Sequence, residues 1–431
     1  MIWDKEKECI DREDLKQLQL ERLQSTIHRV YRNVPFYRRM FDRQGIDPDS
    51  FSSIEDIKKI PFTTKNDLRE NYPYGLFAVP LREIVRIHTS SGTTGMPIVV
   101  GYTKGDLKIW SELVARVLSA GGITKDDVIQ IAFNYGLFTG AFGFHYGAEK
   151  IGASVIPISI ENPKKQIKIM QDYKTTALIS TPSYALLIAN TILEMDINPN
   201  SLSLKFGLFG AEPWSERMRK EIEEKLKITA TDNYGLSEVM GPGVSGESLE
   251  KNGLHINEDH FLFEILDPHT LEPLEEGQTG ELVITTLTKE AFPVLRFRTG
   301  DLTRFLPGQC PCGRTLRRID RIMGRTDDMI IIRGLKIFPS QIEAILYEIE
   351  GKQPNYQIIL ERQSGIDSIT ILLEVTEDIF SDVMKEQSQL INIIKDRLSS
   401  EFGLSFNVKL AEKRSLEKID GKLKKVIDRR N

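Results

Sequence analysis

With 431 residues, 40% of them hydrophobic and 28% charged, the chain has room for two or three domains and an ordinary globular composition. A net charge of −5, from 57 basic and 62 acidic residues, argues against a nucleic-acid partner. The charged N-terminal segment lacks the apolar run of a signal peptide, and no stretch reaches the roughly 18 apolar residues of a membrane helix. Three cysteines (Cys9, Cys310 and Cys312) are too few for a disulfide scaffold, so a cytoplasmic enzyme with no membrane partner is expected.

Residues 11 to 42 predict a helix, with Leu15, Leu18, Leu23, Ile27 and Val30 on one face, Asp11 as its cap and a break at Pro35. Short helical pieces follow between Ser52 and Leu68, interrupted by Pro61. Two strand-like runs, around Ile84–Ile87 and Ile98–Val100, then flank the segment from His88 to Pro97. That segment holds four hydroxyl residues (Ser90, Ser91, Thr93, Thr94) and two glycines (Gly92, Gly95), a composition suited to wrapping a polyphosphate. A surface turn would have the same composition, and the Gly-Lys-Ser/Thr of the usual mononucleotide loop is missing.

A helix over 104–120 ends at Gly121-Gly122, and a strand from Val128 to Phe133 leads into a segment dense in glycine and aromatics, Asn134 to His145. Such a segment either closes around a flat ligand or packs a helix closely on a strand. Strands at 153–160, 177–180, 206–209 and 228–231 alternate with helices at 164–173, 184–195 and from Ser215 onward, which predicts a parallel sheet covered on both faces. Ligands in such sheets lie at the carboxyl ends of strands, so the segments after these strands, Gly210 to Pro213 and Asp232 to Glu238, are the expected site. Tyr234 there is suited to stack on a base and Glu238 to hold Mg2+ beside a phosphate. Gly241 to Gly246 has dinucleotide-loop spacing, but no strand leads into it and no packed helix follows, so it is read as a mobile loop.

From Phe261 the texture changes to short strands (261–266, 281–287, 294–297), a small antiparallel subdomain ending at Asp301. Gly324 to Asp328 reads as a domain joint. Ser340 with Glu343 is a capping-box pattern, strands are expected at 356–362 and 369–376, a helix at 379–401, and a strand and a basic tail from 406.

The strings SSGTTGMP, GAEP, NYGLSE, RFRTGD, GRTDDMIIIRG and a late Gly421-Lys422 stand in the order found in adenylate-forming enzymes and together span residues 90 to 422. The stretches NYGLFTGAFGFHYGAE, YGLSEVMGPG, GLHINEDHF and TTLTKEAFPVLRFRTGDLT resemble, within that superfamily, the phenylacetate-CoA ligase group. The resemblance implies an α/β fold: a large N-terminal domain (1–326) with mostly parallel sheets and a small antiparallel β subdomain, and a small mobile α+β C-terminal domain (327–431). It implies ATP, Mg2+ and CoA, an aryl acid converted to acyl-AMP and then to aryl-CoA, and a homodimer by family likeness only. Two other readings are delivery of the acyl group to a carrier-protein thiol and a non-catalytic adenylate or acyl sensor.

Roles carry over residue by residue. Ser90, Ser91, Gly92, Thr93, Thr94 and Gly95 would cover the phosphates, with Thr94 and Glu238 at phosphate and Mg2+. Gly210, Ala211, Glu212 and Pro213 would line the adenine, with Asp232, Tyr234, Gly235 and Ser237 beside it. Asp301 and Arg325 would take the ribose. Lys422 would bridge carboxylate and α-phosphate, with Lys424 a near competitor, and Asp327 would be the hinge that brings the Gly334 segment in for the thioester step. Tyr135, Phe138, Phe142 and Gly143, with Ala211 and Gly235, would build the acyl pocket. Relatives that carry the turn Cys310-Pro311-Cys312-Gly313 pair it with an upstream cysteine and His255, implying structural Zn2+. Here Ser248 stands at the upstream position, leaving Glu247 or water as a fourth ligand, and a metal-free turn is the competing expectation.

Overall fold

The computed structural model describes residues 1–430 apart from 91–96, 327–329, 333–334, 338, 352–353, 364–365, 376–383, 413–414, 417, 420–421 and 424; for Lys422 only the backbone is described. The chain divides into two compact units, Met1–Ile322 and Met323–Asn431.

The first unit opens with the short helix α1 (Lys5–Glu8), then α2 (Arg12–Asn33) and α3 (Pro35–Gln44). Asp11 caps α2 by accepting from the Glu13 amide, and Pro35 takes the first position of α3, where its missing N–H costs nothing. Leu23, Ile27, Val30, Tyr37 and Phe41 are fully buried in the main core. α4 (Lys65–Glu70) is closed by a capping box between Thr64 and Asp67. Strands β1 (Arg86–Thr89) and β2 (Val99–Tyr102) form an antiparallel hairpin around residues 91–96.

Next come α5 (Lys104–Ala120), β3 (Val128–Ile131), α6 (Gly140–Ile151), β4 (Ser154–Ile156), α7 (Pro163–Asp172), β5 (Ala177–Ser180), α8 (Pro182–Glu194), β6 (Phe206–Gly210), α9 (Glu216–Leu226) and β7 (Thr229–Leu236). The helices cover a sheet in which β4, β3, β5, β6 and β7 run parallel. Four antiparallel strands extend it: β8 (Gly241–Glu247), β9 (Leu254–Ile256), β13 (Phe305–Leu306) and β14 (Arg318–Ile319), in the order β7-β8-β9-β14-β13. Strands β10 (Phe261–Leu266), β11 (Gly280–Thr286) and β12 (Phe297–Thr303) pair antiparallel in a second sheet.

Three expectations for the first unit are corrected. Gly241 to Gly246 is not a loop: it is β8, buried along its whole length and paired with β7 and β9. Its glycines are required because α5 lies almost on its backbone; a Cβ at Gly246 would come 2.6 Å from a Val117 methyl and one at Gly243 2.9 Å from Val114. Asp232 to Leu236 belongs to β7 itself rather than to a segment after it. Asp301 lies within β12, whereas Val294 precedes that strand.

The second unit begins with β15 (Gly324–Arg325) and the hairpin β16 (Ile330–Ile332) with β17 (Leu335–Ile337). Helix α10 (Pro339–Glu350) starts one residue before Ser340, which lies in its first turn rather than before it. Strands β18 (Tyr356–Gln363) and β19 (Ile366–Glu374) pair antiparallel, and α11 (Met384–Phe402) follows. β20 (Asn407–Ala411) flanks β19, the small hairpin β21 (Lys418–Ile419) with β22 (Lys422–Leu423) comes next, and β23 (Val426–Arg429) joins the outer edge of β18. Its core, including Ile342, Leu346, Tyr356, Ile371, Ile394 and Leu398, is its own.

Candidate active site

The carboxyl ends of β3, β6 and β7 bring most of the expected residues of the first unit to one side of the sheet. β6 and β7 approach each other closely there. Asn233 donates from Nδ2 to the Phe209 carbonyl at 2.7 Å, and a Cβ on Gly210 would lie 2.4 Å from the Asn233 carbonyl oxygen. Ala211 turns the chain out of β6 in the left-handed region, at φ 68. Glu212 reaches to the start of α8 and accepts from the Ser183 amide at 2.6 Å.

Tyr234 is buried, and its hydroxyl donates to the Asp301 carboxylate at 2.6 Å. Gly235 admits no side chain, because a Cβ would stand 1.9 Å from the Gly241 carbonyl oxygen of the neighbouring strand. Ser237 shares a hydrogen bond of 3.0 Å with Thr139, the residue preceding α6, and Glu238 beside it is 7% exposed. Asp232 lies deeper. Its own amide donates to Glu247 at 2.7 Å, and Glu247 pairs with the buried Arg219 at 2.8 Å. Burial first, and then the Glu247 charge, push the Asp232 carboxyl up to about 7 against the pull of Arg219 and Arg321.

The residues expected to build the acyl pocket form an aromatic cluster. Tyr135 meets Phe142 edge to face with centroids 5.3 Å apart, and Phe142 stacks on Tyr146 at 6.3 Å. Gly143 lets α6 close on α5: a Cβ there would stand 2.5 Å from Pro242 and 2.7 Å from Trp110. Phe138 is 41% exposed and packs less completely than its neighbours.

Sequence reasoning passed over several residues at this place. Arg86 lies over the Tyr146 ring at 4.7 Å and bonds its hydroxyl at 2.7 Å. His88 is buried against Tyr102, Trp110 and Phe142. Its Nδ1 bonds the Leu137 carbonyl at 3.0 Å, which makes Nδ1 the protonated nitrogen, and burial holds the ring's pKa below its usual value. The one available signal was that Arg86 and His88 share a strand face two residues apart.

Ser90 closes the base of the β1–β2 hairpin. Its amide donates to the Ile98 carbonyl at 2.9 Å, and its hydroxyl accepts from the Ile98 amide at 3.3 Å. Ser91, Gly92, Thr93, Thr94 and Gly95 lie outside the described residues, as do Asp327 and Gly334. Arg325 is in β15 of the second unit, and the Lys422 backbone pairs with Ile419 in the β21–β22 hairpin.

His255, Cys310 and Cys312 present three donor atoms within 4.8 Å of one another. Cys312 Sγ is 3.3 Å from His255 Nε2, and Ser248 Oγ is 3.9 Å from Cys310 Sγ. With metal–ligand bonds of about 2.0–2.3 Å, these separations fit three corners of a tetrahedron. Burial raises the Cys312 thiol, but His255 and the Arg314 amide outweigh it and bring it down to about 5. Thiolate character of this kind suits a soft divalent ion. Glu247, the other expected stand-in, is committed to Arg219 and the Asp232 amide.

Comparison with known proteins identifies the family. The family model for AMP-binding enzymes matches residues 42–288, and the model for the AMP-binding enzyme C-terminal domain matches residues 334–430. A phenylacetate-coenzyme A ligase of Escherichia coli K12 is 48% identical over 97% of this chain and 96% of its own length. One from Thermus thermophilus is 45% identical, with 100% of each chain covered. The crystal structure of a 2-hydroxyisobutyryl-CoA ligase in the postadenylation state, in complex with an acyl-AMP, superposes with a TM-score of 0.89 at 28% identity, covering 100% of this chain and 92% of that one. The chain therefore belongs to the AMP-binding enzyme family and, within it, to the phenylacetate-coenzyme A ligase group of adenylate-forming acid–CoA ligases.

Proposed function

We propose that this ligase takes phenylacetate or a close aryl analogue, ATP and CoA, and that its residues divide the work as follows. The acid lies against Tyr135, Phe142 and Gly143, with Phe138 at the rim. Its carboxylate attacks the α-phosphorus of ATP, forming an acyl-AMP and releasing pyrophosphate. CoA thiolate then attacks the acyl carbon, and AMP leaves. Both steps depend on positioning and charge stabilisation rather than on a general base. Ser90 to Gly95 hold the β- and γ-phosphates. Gly210 to Pro213, with Asp232, Tyr234, Gly235 and Ser237, bound the adenine, and Asp301 with Arg325 fixes the ribose. Lys422 offsets the repulsion between carboxylate and phosphate in the first step. Rotation at Asp327 then exchanges it for the Gly334 segment in the second.

Glu238, with Thr94, would hold Mg2+, which neutralises phosphate charge. His255, Cys310 and Cys312 would hold a structural Zn2+, with Ser248 or water as the fourth ligand. The unpaired state of all three thiols suits a reducing cytoplasm, and a homodimer is expected by family likeness.

The observation that carries the reading is the Thr139–Ser237 hydrogen bond, which joins the start of the aromatic helix α6 to the turn bearing Glu238. On this reading the acid and the phosphates bind side by side. Pyrophosphate release across a panel of aryl and alkyl acids, with ATP and Mg2+ and with or without CoA, tests it. Phenylacetate-dependent release that turns over only with CoA is the expected result. Turnover only with a carrier protein would move the acceptor, and no release with any acid would sink the reading.

A further inference from the structure

Lys289 lies in the turn after β11 with 1% of its surface exposed. A lysine so buried usually meets a carboxylate. Among the described residues this one makes no ion pair. Its Nζ stands 3.2 Å from the centroid of the Tyr102 ring and 3.7 Å from Met240 Sδ. Asp106 exerts a favourable pull on it, but the Asp106 carboxylate is already occupied by the amides of Glu290, Ala291 and Thr103 at 2.7, 3.0 and 3.0 Å. An apolar side chain of the same length would fill this space without a desolvation penalty. What the charge adds is direction, since a cation over a ring face fixes the ring's tilt.

That ring is the middle of a column. On its other face Tyr102 stacks on Trp110, with centroids 4.9 Å apart and planes 15° from parallel. The polar tips of all three members grip the same short segment. The Tyr102 hydroxyl donates to the Met240 carbonyl at 2.9 Å, Trp110 Nε1 donates to the Pro242 carbonyl at 2.8 Å, and Lys289 faces the Met240 sulfur. Met240 is the last residue of the turn that bears Glu238, and Pro242 follows it in β8.

We propose that Lys289 is a positioning residue for the adenylation step: through Tyr102 and Met240 it sets the orientation in which Glu238 receives magnesium-bound ATP. The proposal rests on the role given to Glu238 above. The charged and titratable groups around Lys289 are Tyr102 of β2, Asp106 of α5, His88 of β1 and Glu290 of its own turn. Of these, Glu290 accepts from the Thr103 hydroxyl at 2.6 Å, and neutral His88 lies edge-on to Tyr102.

The test compares full-length Lys289→Met, Lys289→Arg, Tyr102→Phe and Glu238→Gln in pyrophosphate release and in overall ligation, with thermal melts alongside. Lys289→Met is expected to raise the KM for MgATP roughly tenfold while changing the KM for CoA less than about twofold, with Lys289→Arg recovering much of the loss. Tyr102→Phe should reproduce the selective MgATP effect, and adding it to Lys289→Met should cost nothing further, because the ring that Lys289 orients acts on Met240 through the hydroxyl that Phe lacks. A folded Lys289→Met with an unchanged MgATP KM, while Glu238→Gln raises it, overturns the proposal and leaves the role of Glu238 standing. A uniform loss in every kinetic parameter that follows the melting temperature also overturns it. If Glu238→Gln itself leaves the MgATP KM unchanged, the role of Glu238 fails and the proposal with it. Should Lys289→Met not fold, Tyr102→Phe, which removes only a hydroxyl, decides by the same criterion.

Discussion

The Tyr234 hydroxyl and the Asp301 carboxylate meet at 2.6 Å and join two separate sheets, β7 of the large one and β12 of the small one. Two motifs 67 residues apart are thus one unit at the expected nucleoside site. A hydrogen bond to a charged acceptor contributes about 1.5–3 kcal/mol. Tyr234→Phe is expected to lower the melting temperature by several degrees and to raise the KM for ATP roughly tenfold, with the KM for the acid little changed. An unaltered ATP KM would separate this pair from nucleotide binding.

Asp232 yields a pH prediction. Its folded pKa, about 7, is above the usual carboxylate value of 3.8. Between those values the native state holds a proton that the unfolded chain has released. Stability therefore falls as pH rises from about 4 to about 7, and the full penalty is present above that. Asp232→Asn removes this term, so the variant should gain on the natural protein, by up to a few kcal/mol, as urea melts are moved from pH 5 to pH 8. Parallel stability curves for the two proteins would refute the assignment.

Lys289 gives the opposite-charge case with the opposite sense of slope. Burial lowers its pKa from 10.5 to about 8. Between these values the unfolded chain binds the proton and the native state does not, so this site's contribution rises with pH across the window. Below about pH 8 the buried charge is a standing cost, on the order of a few kcal/mol. Lys289→Met should therefore compare best with the natural protein near pH 7 and lose that advantage towards pH 10. Melts at both values check this, and a difference independent of pH would mean that the amine is not desolvated.

The zinc proposed at His255, Cys310 and Cys312 can be checked directly. Protein purified without chelator should contain about one Zn2+ per chain by elemental analysis. Removal should lower the melting temperature while leaving the KM for ATP intact, and Cys312→Ser should abolish the metal. Metal-free protein of unchanged stability would favour the bare turn.

Much of the architecture was legible from the chain alone. Apolar periodicity, capping residues and punctuating glycines are local, and they marked α2, α5, α7, α8, α9 and the parallel strands between them. The ordered motifs also named the family, because their identity and order are carried by the sequence itself.

Tertiary contact decided the rest. β8 carries three glycines and a proline in seven residues and looks like a loop; it is a strand because β7 and β9 supply its hydrogen-bond partners and α5 needs the space that side chains would fill. Lys289 reads as an ordinary turn charge, since nothing nearby in sequence reveals that Tyr102, almost two hundred positions earlier, will lie beneath it. Asp301, likewise, becomes a buried strand residue only when Tyr234 closes on it. Local pattern determined which elements form and in what order, whereas burial and partnership depend on contacts between distant segments and were settled only by packing.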